Sequence, residues 1–208
     1  MMPCLIYIDE EPRARLLYRR RLQQCIGDEV EVIAIDPERE LDVMVKKIED
    51  SVSLVSVVID QKLTAAGTAG YLGTDLVAKL RLADHLMPIY ILTNYVGDVD
   101  ANLGSVEYVL NKDDLSNQEK LAAIGARVRR HINIFQQIID KRERRFEELL
   151  RKRFESILDE VEAAEYTELK YQREKKYLAS SFVENDELTK KIEAAEHKLR
   201  QIESMLKN

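Results

Sequence analysis

Five short β-rich runs, each followed by an amphipathic stretch, limit what this chain can fold into. The runs are Cys4–Ile8, Glu29–Ile35, Leu54–Ile59, Ile89–Leu92 and Glu107–Leu110. The third, LVSVVI, is apolar almost throughout, the pattern of a strand buried on both faces. Helical periodicity fills the intervals. Pro12–Gln24 opens with a proline, which suits an early helical position because its missing N–H is no loss there. Glu38–Ser51 places Leu41, Val45 and Ile48 on one face, and Thr74–Ala83 turns Leu76, Val77 and Leu80 inward. A weaker helical signal covers Asp98–Leu103, and Asn117 opens another helix. Strands alternating with helices predict a parallel sheet covered on both faces. Five such units within residues 1–130 predict a flavodoxin-like doubly wound sheet of order 2-1-3-4-5.

Glycine and proline divide the rest. The last proline is Pro88 and the last glycine is Gly125, so a long uninterrupted helix can follow. Leu121, Ile124, Val128, Ile132, Phe135 and Ile139 recur at helical spacing, and Phe146, Leu150, Phe154, Ile157 and Val161 continue it. Leu188, Ile192, Ala195, Leu199, Ile202 and Leu206 then step 4-3-4-3-4, a coiled-coil spacing. The pattern breaks near Ser180–Asp186, where Asn185 or Asp186 can cap a final helix. The prediction is an α/β domain over 1–130 and a helical coiled-coil region over 131–208, folded as a hairpin or paired in a parallel dimer.

Composition excludes several classes. The 208 residues carry a formal net charge of -6, which gives no basis for strong sequence-independent nucleic-acid binding. The basic clusters RVRRH, KRERR and RKR are interleaved with Asp140, Glu143, Glu147 and Glu148, the pattern of a solvated helix face. No stretch approaches the length of an apolar membrane span, and the acidic N-terminal stretch is not a secretory signal. Cys4 and Cys25 lack metal-ligand spacing, so a reducing cytoplasm fits better than a disulfide framework. His85, His131 and His197 read as surface histidines.

In doubly wound folds ligands sit beyond the carboxyl ends of the strands, where the strand order reverses. Those ends carry Asp9, Glu10 and Glu11, then Asp60, then Thr93, then Lys112. Carboxylates converging in one crevice repel unless something neutralises them. A hard divalent cation such as Mg²⁺ does so through one or two carboxylates plus phosphate oxygens and water. A hydroxyl and an ammonium complete a pocket for a tetrahedral dianion, with Asp60 central and placed as a nucleophile that forms an acyl phosphate. The plainer readings are an Asp60–Lys112 ion pair and acids that merely start a helix, which holds best for Glu11.

The segments YIDEE, VVIDQKL, GTDLVAKLR, MPIYILTNY and YVLNKDDL, in this order, resemble the receiver domain of two-component response regulators. The resemblance covers roughly residues 3–130. It implies Asp60 as phosphoacceptor. It implies Asp9, Glu10, Asp60 and the backbone carbonyl of Lys62 as Mg²⁺ ligands. Thr93 and Lys112 match the residues that bind the phosphoryl group, and Tyr108 stands near the position of a switch aromatic. The chain departs from the pattern at Asp113, where a proline usually follows the lysine, and at Asn94, where a small residue is usual. The glycines of TAAGTAGYLGT lack the GK[ST] ending of a P-loop, which argues against nucleotide binding there. The resemblance implies a phosphorylation switch served by a histidine kinase or phosphotransfer protein, not an enzyme beyond its own phosphotransfer. The alternative is a degenerate receiver that acts as a scaffold and assembles through its coiled coil.

Overall fold

A computed structural model describes residues 2–64, 67, 69–99 and 106–173. The strands are β1 (Cys4–Ile8), β2 (Glu31–Ile35), β3 (Leu54–Asp60), β4 (Ile89–Thr93) and β5 (Tyr108–Asn111). The helices are α1 (Pro12–Ile26), α2 (Leu41–Glu49), α3 (Gly73–Ala83) and α4 (Gln118–Glu155). The strands form one parallel sheet in the order β2-β1-β3-β4-β5. This is the predicted doubly wound architecture. β1 and β4 are buried along their whole lengths, as is β3 after Leu54, because helices cover both faces of the sheet.

Several boundaries differ from the sequence reading. β3 runs one residue further, so Asp60 is itself part of the strand and pairs with Leu92. α1 continues to Ile26 and stops at Gly27, whose φ of 89° is the left-handed geometry that glycine adopts without strain. The weak helix expected over Asp98–Leu103 lies mostly outside the described residues, which lack 100–105, and a 3₁₀ turn at Val96–Asp98 precedes it. Asn117 does open α4, its Oδ1 accepting the N–H groups of Glu119 and Lys120.

Two glycines are fixed by close approach. A methyl added at Gly73 would overlap the carbonyl oxygen of Asp60, and one at Gly125 would overlap that of Cys25. Gly73 thus lets the first turn of α3 press against the end of β3, donating its N–H to the Gln61 carbonyl at 3.0 Å. Gly125 lets α4 lie against the last turn of α1.

The chain divides into two compact units, Met1–Arg145 and Phe146–Asn208. The first takes α4 well past residue 130, because Ile132 and Phe135 are buried in its core and Ile139 packs against it. In the second unit the helix stops at Glu155, and residues 160–173 are helical again. The sequence pattern ran through this point without interruption. The break is set by a reciprocal cap: Asp159 Oδ1 accepts the Glu162 N–H at 2.9 Å, and Glu162 Oε2 accepts the Asp159 N–H at 3.2 Å. Phe146, Leu149 and Tyr166 form a small core, with Phe146 and Tyr166 stacked at 5.3 Å. Phe154, Ile157 and Val161, expected on the continuing apolar face, are instead exposed. The turn expected at Ser180–Asp186 and the Leu188–Leu206 seam lie outside the described residues.

Candidate functional site

The topology lines up four chain positions along the carboxyl edge of the sheet. β1, β3, β4 and β5 are consecutive neighbours, and their ends carry Asp9, Asp60, Thr93 and Lys112. Asp9, Glu10, Asp60, Thr93 and Lys112 are all buried. Lys112 Nζ lies 2.7 Å from Asp60 Oδ1 and 3.1 Å from Asp9 Oδ2. One ammonium therefore serves two buried carboxylates, one from each of two adjacent strands.

Two negative charges against one positive leave the cluster short of cation, and the electrostatics follow. Burial pushes the Asp60 carboxyl above its ordinary value; Lys112 and the Lys62 N–H oppose this, and the Asp9 charge adds to it. For Lys112, burial alone would lower the pKa, but the hydrogen bond and charge of Asp60, with Asp9, outweigh it and raise the value. Lys112 is thus a fixed cation at neutral pH.

The backbone is tied to the same groups. Lys62 N–H donates to Asp60 Oδ2 at 3.2 Å, and Tyr95 N–H donates to Thr93 Oγ1 at 3.1 Å. The Lys62 ammonium stands 5.0 Å from the centre of the Tyr95 ring, which links the loops after β3 and β4. Arg15 holds the loop after β1. Its guanidinium donates to the carbonyls of Asp9 at 2.7 Å and Glu10 at 3.2 Å, and it pairs with Asp36 beyond β2.

Sequence reasoning missed three of these partners. Tyr7 is fully buried in β1, and its hydroxyl donates to Asp9 Oδ2 at 2.5 Å. Burial, then the charge of Asp9, drive its pKa far above the ordinary tyrosine value, so it is a donor at any working pH. The signal was its position two before Asp9, on the same side of the strand. Tyr18 of α1 places its ring 5.2 Å from Lys112 Nζ. Arg15 follows Asp9 by six residues, a distance that only the turn from β1 into α1 closes.

Tyr108 stands apart from the cluster. It is exposed on β5, with the Arg127 guanidinium 4.0 Å from its ring centre. His131, read as a surface histidine, is half-buried, and its Nδ1 pairs with the Tyr90 hydroxyl at 2.7 Å, which joins β4 to α4. The sequence could not show this, because Tyr90 and His131 are brought together only by the packing of α4 on the sheet.

Among the described residues, no three His, Cys, Asp or Glu side chains close into a metal cage. Mg²⁺ does not need one, since it keeps several waters and binds through one or two carboxylates. The donor set fits such an ion: hard carboxylate oxygens, buried, with more negative charge than Lys112 offsets. Asp9, Glu10, Asp60 and the carbonyl of Lys62 are the groups that could hold it.

Comparison with solved structures gives the same architecture. NtrX from Brucella abortus, solved with ATP, superposes with a TM-score of 0.50 at 14% identity, over 72% of this chain and 35% of that one. A response regulator receiver domain protein from Clostridium thermocellum matches with a TM-score of 0.49 at 16% identity, over 65% of this chain and 98% of that one. The response regulator TrrA from Thermotoga maritima, solved with Mg²⁺ and beryllium fluoride, gives 0.43 at 20% identity, over 58% and 99%. The strand order and flanking helices are those of a flavodoxin-like, CheY-like fold. No family model and no curated protein matches the chain. In this fold the five site positions named from the sequence, Asp9, Glu10, Asp60, Thr93 and Lys112, all fall at the carboxyl edge of the sheet. Among the described residues no helix is long and apolar enough to cross a membrane.

Proposed function

We propose that the chain is a phosphorylation-dependent signalling switch of the two-component type, with Asp60 as phosphoacceptor. The observation that carries this reading is the Lys112 ammonium held between Asp60 and Asp9 at the edge where β1 and β3 meet. A cation fixed beside a buried carboxylate stabilises the charge that a transferring phosphoryl group brings. An Asp60 carboxylate oxygen attacks the phosphorus of a phosphohistidine on a kinase or phosphotransfer protein. The P–N bond breaks, the imidazole leaves and takes up a proton, and an acyl phosphate remains on Asp60. Lys112 and the Thr93 hydroxyl bind its oxygens. Asp9, Glu10, Asp60 and the Lys62 carbonyl would hold Mg²⁺, which when bound would neutralise charge at this site. The chain speeds its own phosphotransfer and turns over no other substrate. Two buried, unpaired cysteines fit a reducing, cytoplasmic setting.

The route to an output runs through β4 and β5. Thr93 ends β4, Tyr90 of the same strand bonds His131, and Tyr108 of β5 stacks with Arg127, so both strands grip α4 one turn apart. A shift of Thr93 toward a phosphoryl group would be felt at α4 through these contacts.

The test is direct. Incubation with Mg²⁺ and acetyl phosphate should add one phosphoryl mass to the chain, and Asp60→Ala should abolish it. Absence of the adduct with both the small donor and a phosphorylated histidine-containing domain sinks the reading.

A second reading, a phosphorylation-independent scaffold, is favoured by the exposure of Phe154 at 84%, Ile157 at 93% and Val161 at 77% in the second unit. Large apolar side chains left in water mark an assembly surface. Its coiled-coil form would show as a stable oligomer whose mass is indifferent to the phosphoryl mimic beryllium fluoride.

A further inference from the structure

We propose that Tyr7 is a positioning residue that makes Asp9 a one-oxygen partner for a cation and so favours Mg²⁺ over Ca²⁺. The inference rests on the reading of the cluster as a Mg²⁺-assisted phosphoacceptor site.

An ionised carboxylate offers about four acceptor positions. One on Oδ1 is taken by the Glu11 N–H at 2.9 Å. Both on Oδ2 are taken, by the Tyr7 hydroxyl at 2.5 Å and by Lys112 Nζ at 3.1 Å. The Tyr7 bond is at the short end of the charge-assisted range for a hydroxyl on a carboxylate, where such bonds are about twice as strong as neutral ones. One position on Oδ1 remains. Asp9 can therefore meet an ion, directly or through a water, with one oxygen.

That restriction separates the two cations. Mg²⁺ takes six ligands in a tight octahedron, uses carboxylates one oxygen at a time and retains water. Ca²⁺ takes six to eight oxygens at longer range and gains from carboxylates that supply both oxygens. Tyr7 withholds the second oxygen of Asp9, and its burial in β1 gives its hydroxyl no solvent to turn to. Lys112 cannot fill this role alone, because it is shared with Asp60 at the shorter distance of 2.7 Å.

The test compares the full chain with Tyr7→Phe, which keeps the ring and its packing, and with Tyr71→Phe, whose lost hydroxyl bonds the Glu38 carbonyl rather than Asp9. Mg²⁺ and Ca²⁺ are titrated separately by calorimetry, and folding is checked by circular dichroism. The wild type should bind Mg²⁺ more tightly than Ca²⁺, and Tyr7→Phe should narrow the Kd ratio at least threefold, mainly by tightening Ca²⁺. Tyr71→Phe should leave the ratio within a factor of two. An unchanged ratio in folded Tyr7→Phe, with Mg²⁺ still bound, overturns the role of Tyr7 and leaves the phosphoacceptor reading standing. Failure of the wild type to bind either ion overturns both. Should Tyr7→Phe lose its fold, the wild-type titrations decide: Ca²⁺ bound as tightly as Mg²⁺, or more tightly, overturns the proposal, and Mg²⁺ bound more tightly supports it.

Discussion

Lys112 Nζ lies 2.7 Å from Asp60 Oδ1, and both side chains are buried. Removing one partner of such a pair leaves an uncompensated charge in the interior. Lys112→Met should destabilise the fold by about 3 kcal/mol at neutral pH, measured by urea unfolding. The sign of its pH dependence is set by Asp60. Burial already raises the folded Asp60 pKa, so its contribution is fully present below its unfolded value and is lost as pH rises through the folded one. Without Lys112 this loss grows, and the variant should regain stability relative to wild type as pH is lowered toward the ordinary carboxylate range. A variant equally destabilised at acid and neutral pH would contradict this.

Gly73 touches the carbonyl of Asp60, whereas Gly97 has open space where a side chain would go. Gly73→Ala should cost about 1–3 kcal/mol from overpacking and displace α3 from the end of β3. Gly97→Ala should change stability by less than about 0.5 kcal/mol. Comparable melting temperatures for the two variants would argue against the close approach.

Burial raises the Cys25 thiol to about 11, with the Arg129 charge opposing. Its contribution to stability is present below the unfolded value of about 8.5 and is lost as pH rises toward the folded one. Stability should therefore fall by about 2–3 kcal/mol between pH 8.5 and 11.5 from this group, a fall that Cys25→Ser lacks. Alkylation by iodoacetamide at pH 8.5 should be more than about a hundredfold slower at Cys25 in the folded chain than in urea.

Asp159 and Glu162 cap each other's backbone at the start of the second unit's 160–173 helix. Asp159→Ala should cost about 1 kcal/mol of local stability and raise amide exchange over residues 160–166. Exchange in β1 and β3 should be unaffected, since the cap lies outside the core of the first unit. Faster exchange in those strands would show that the cap supports more than its own helix.

Much of the first unit was legible in the sequence because period and burial coincide there. A run such as Leu54–Ile59 is apolar on both faces only if both faces are covered, and that condition together with intervening helices leaves few topologies. Asp9, Asp60, Thr93 and Lys112 could be named because each directly follows or ends such a run, so the strand delivers it to the edge. Beyond Arg145 the same logic failed. The stripe Phe146, Leu150, Phe154, Ile157 and Val161 reads as one helix, because periodicity cannot register a local cap that competes with helix propagation. DEVE at Asp159–Glu162 held that signal in the sequence.

By itself, then, the sequence determined the layered α/β fold and which side chains reach the carboxyl edge of the sheet. Only the tertiary structure decided how those side chains are satisfied. Tyr7 on Asp9, Lys112 shared between two acids, Arg15 across the Asp9–Glu10 loop and Tyr90 on His131 join residues from different elements or opposite ends of a turn. The physical reason is that burial charges a cost for every unpaired polar group, and the partner that meets it is chosen by distance in space, which no spacing along the chain records.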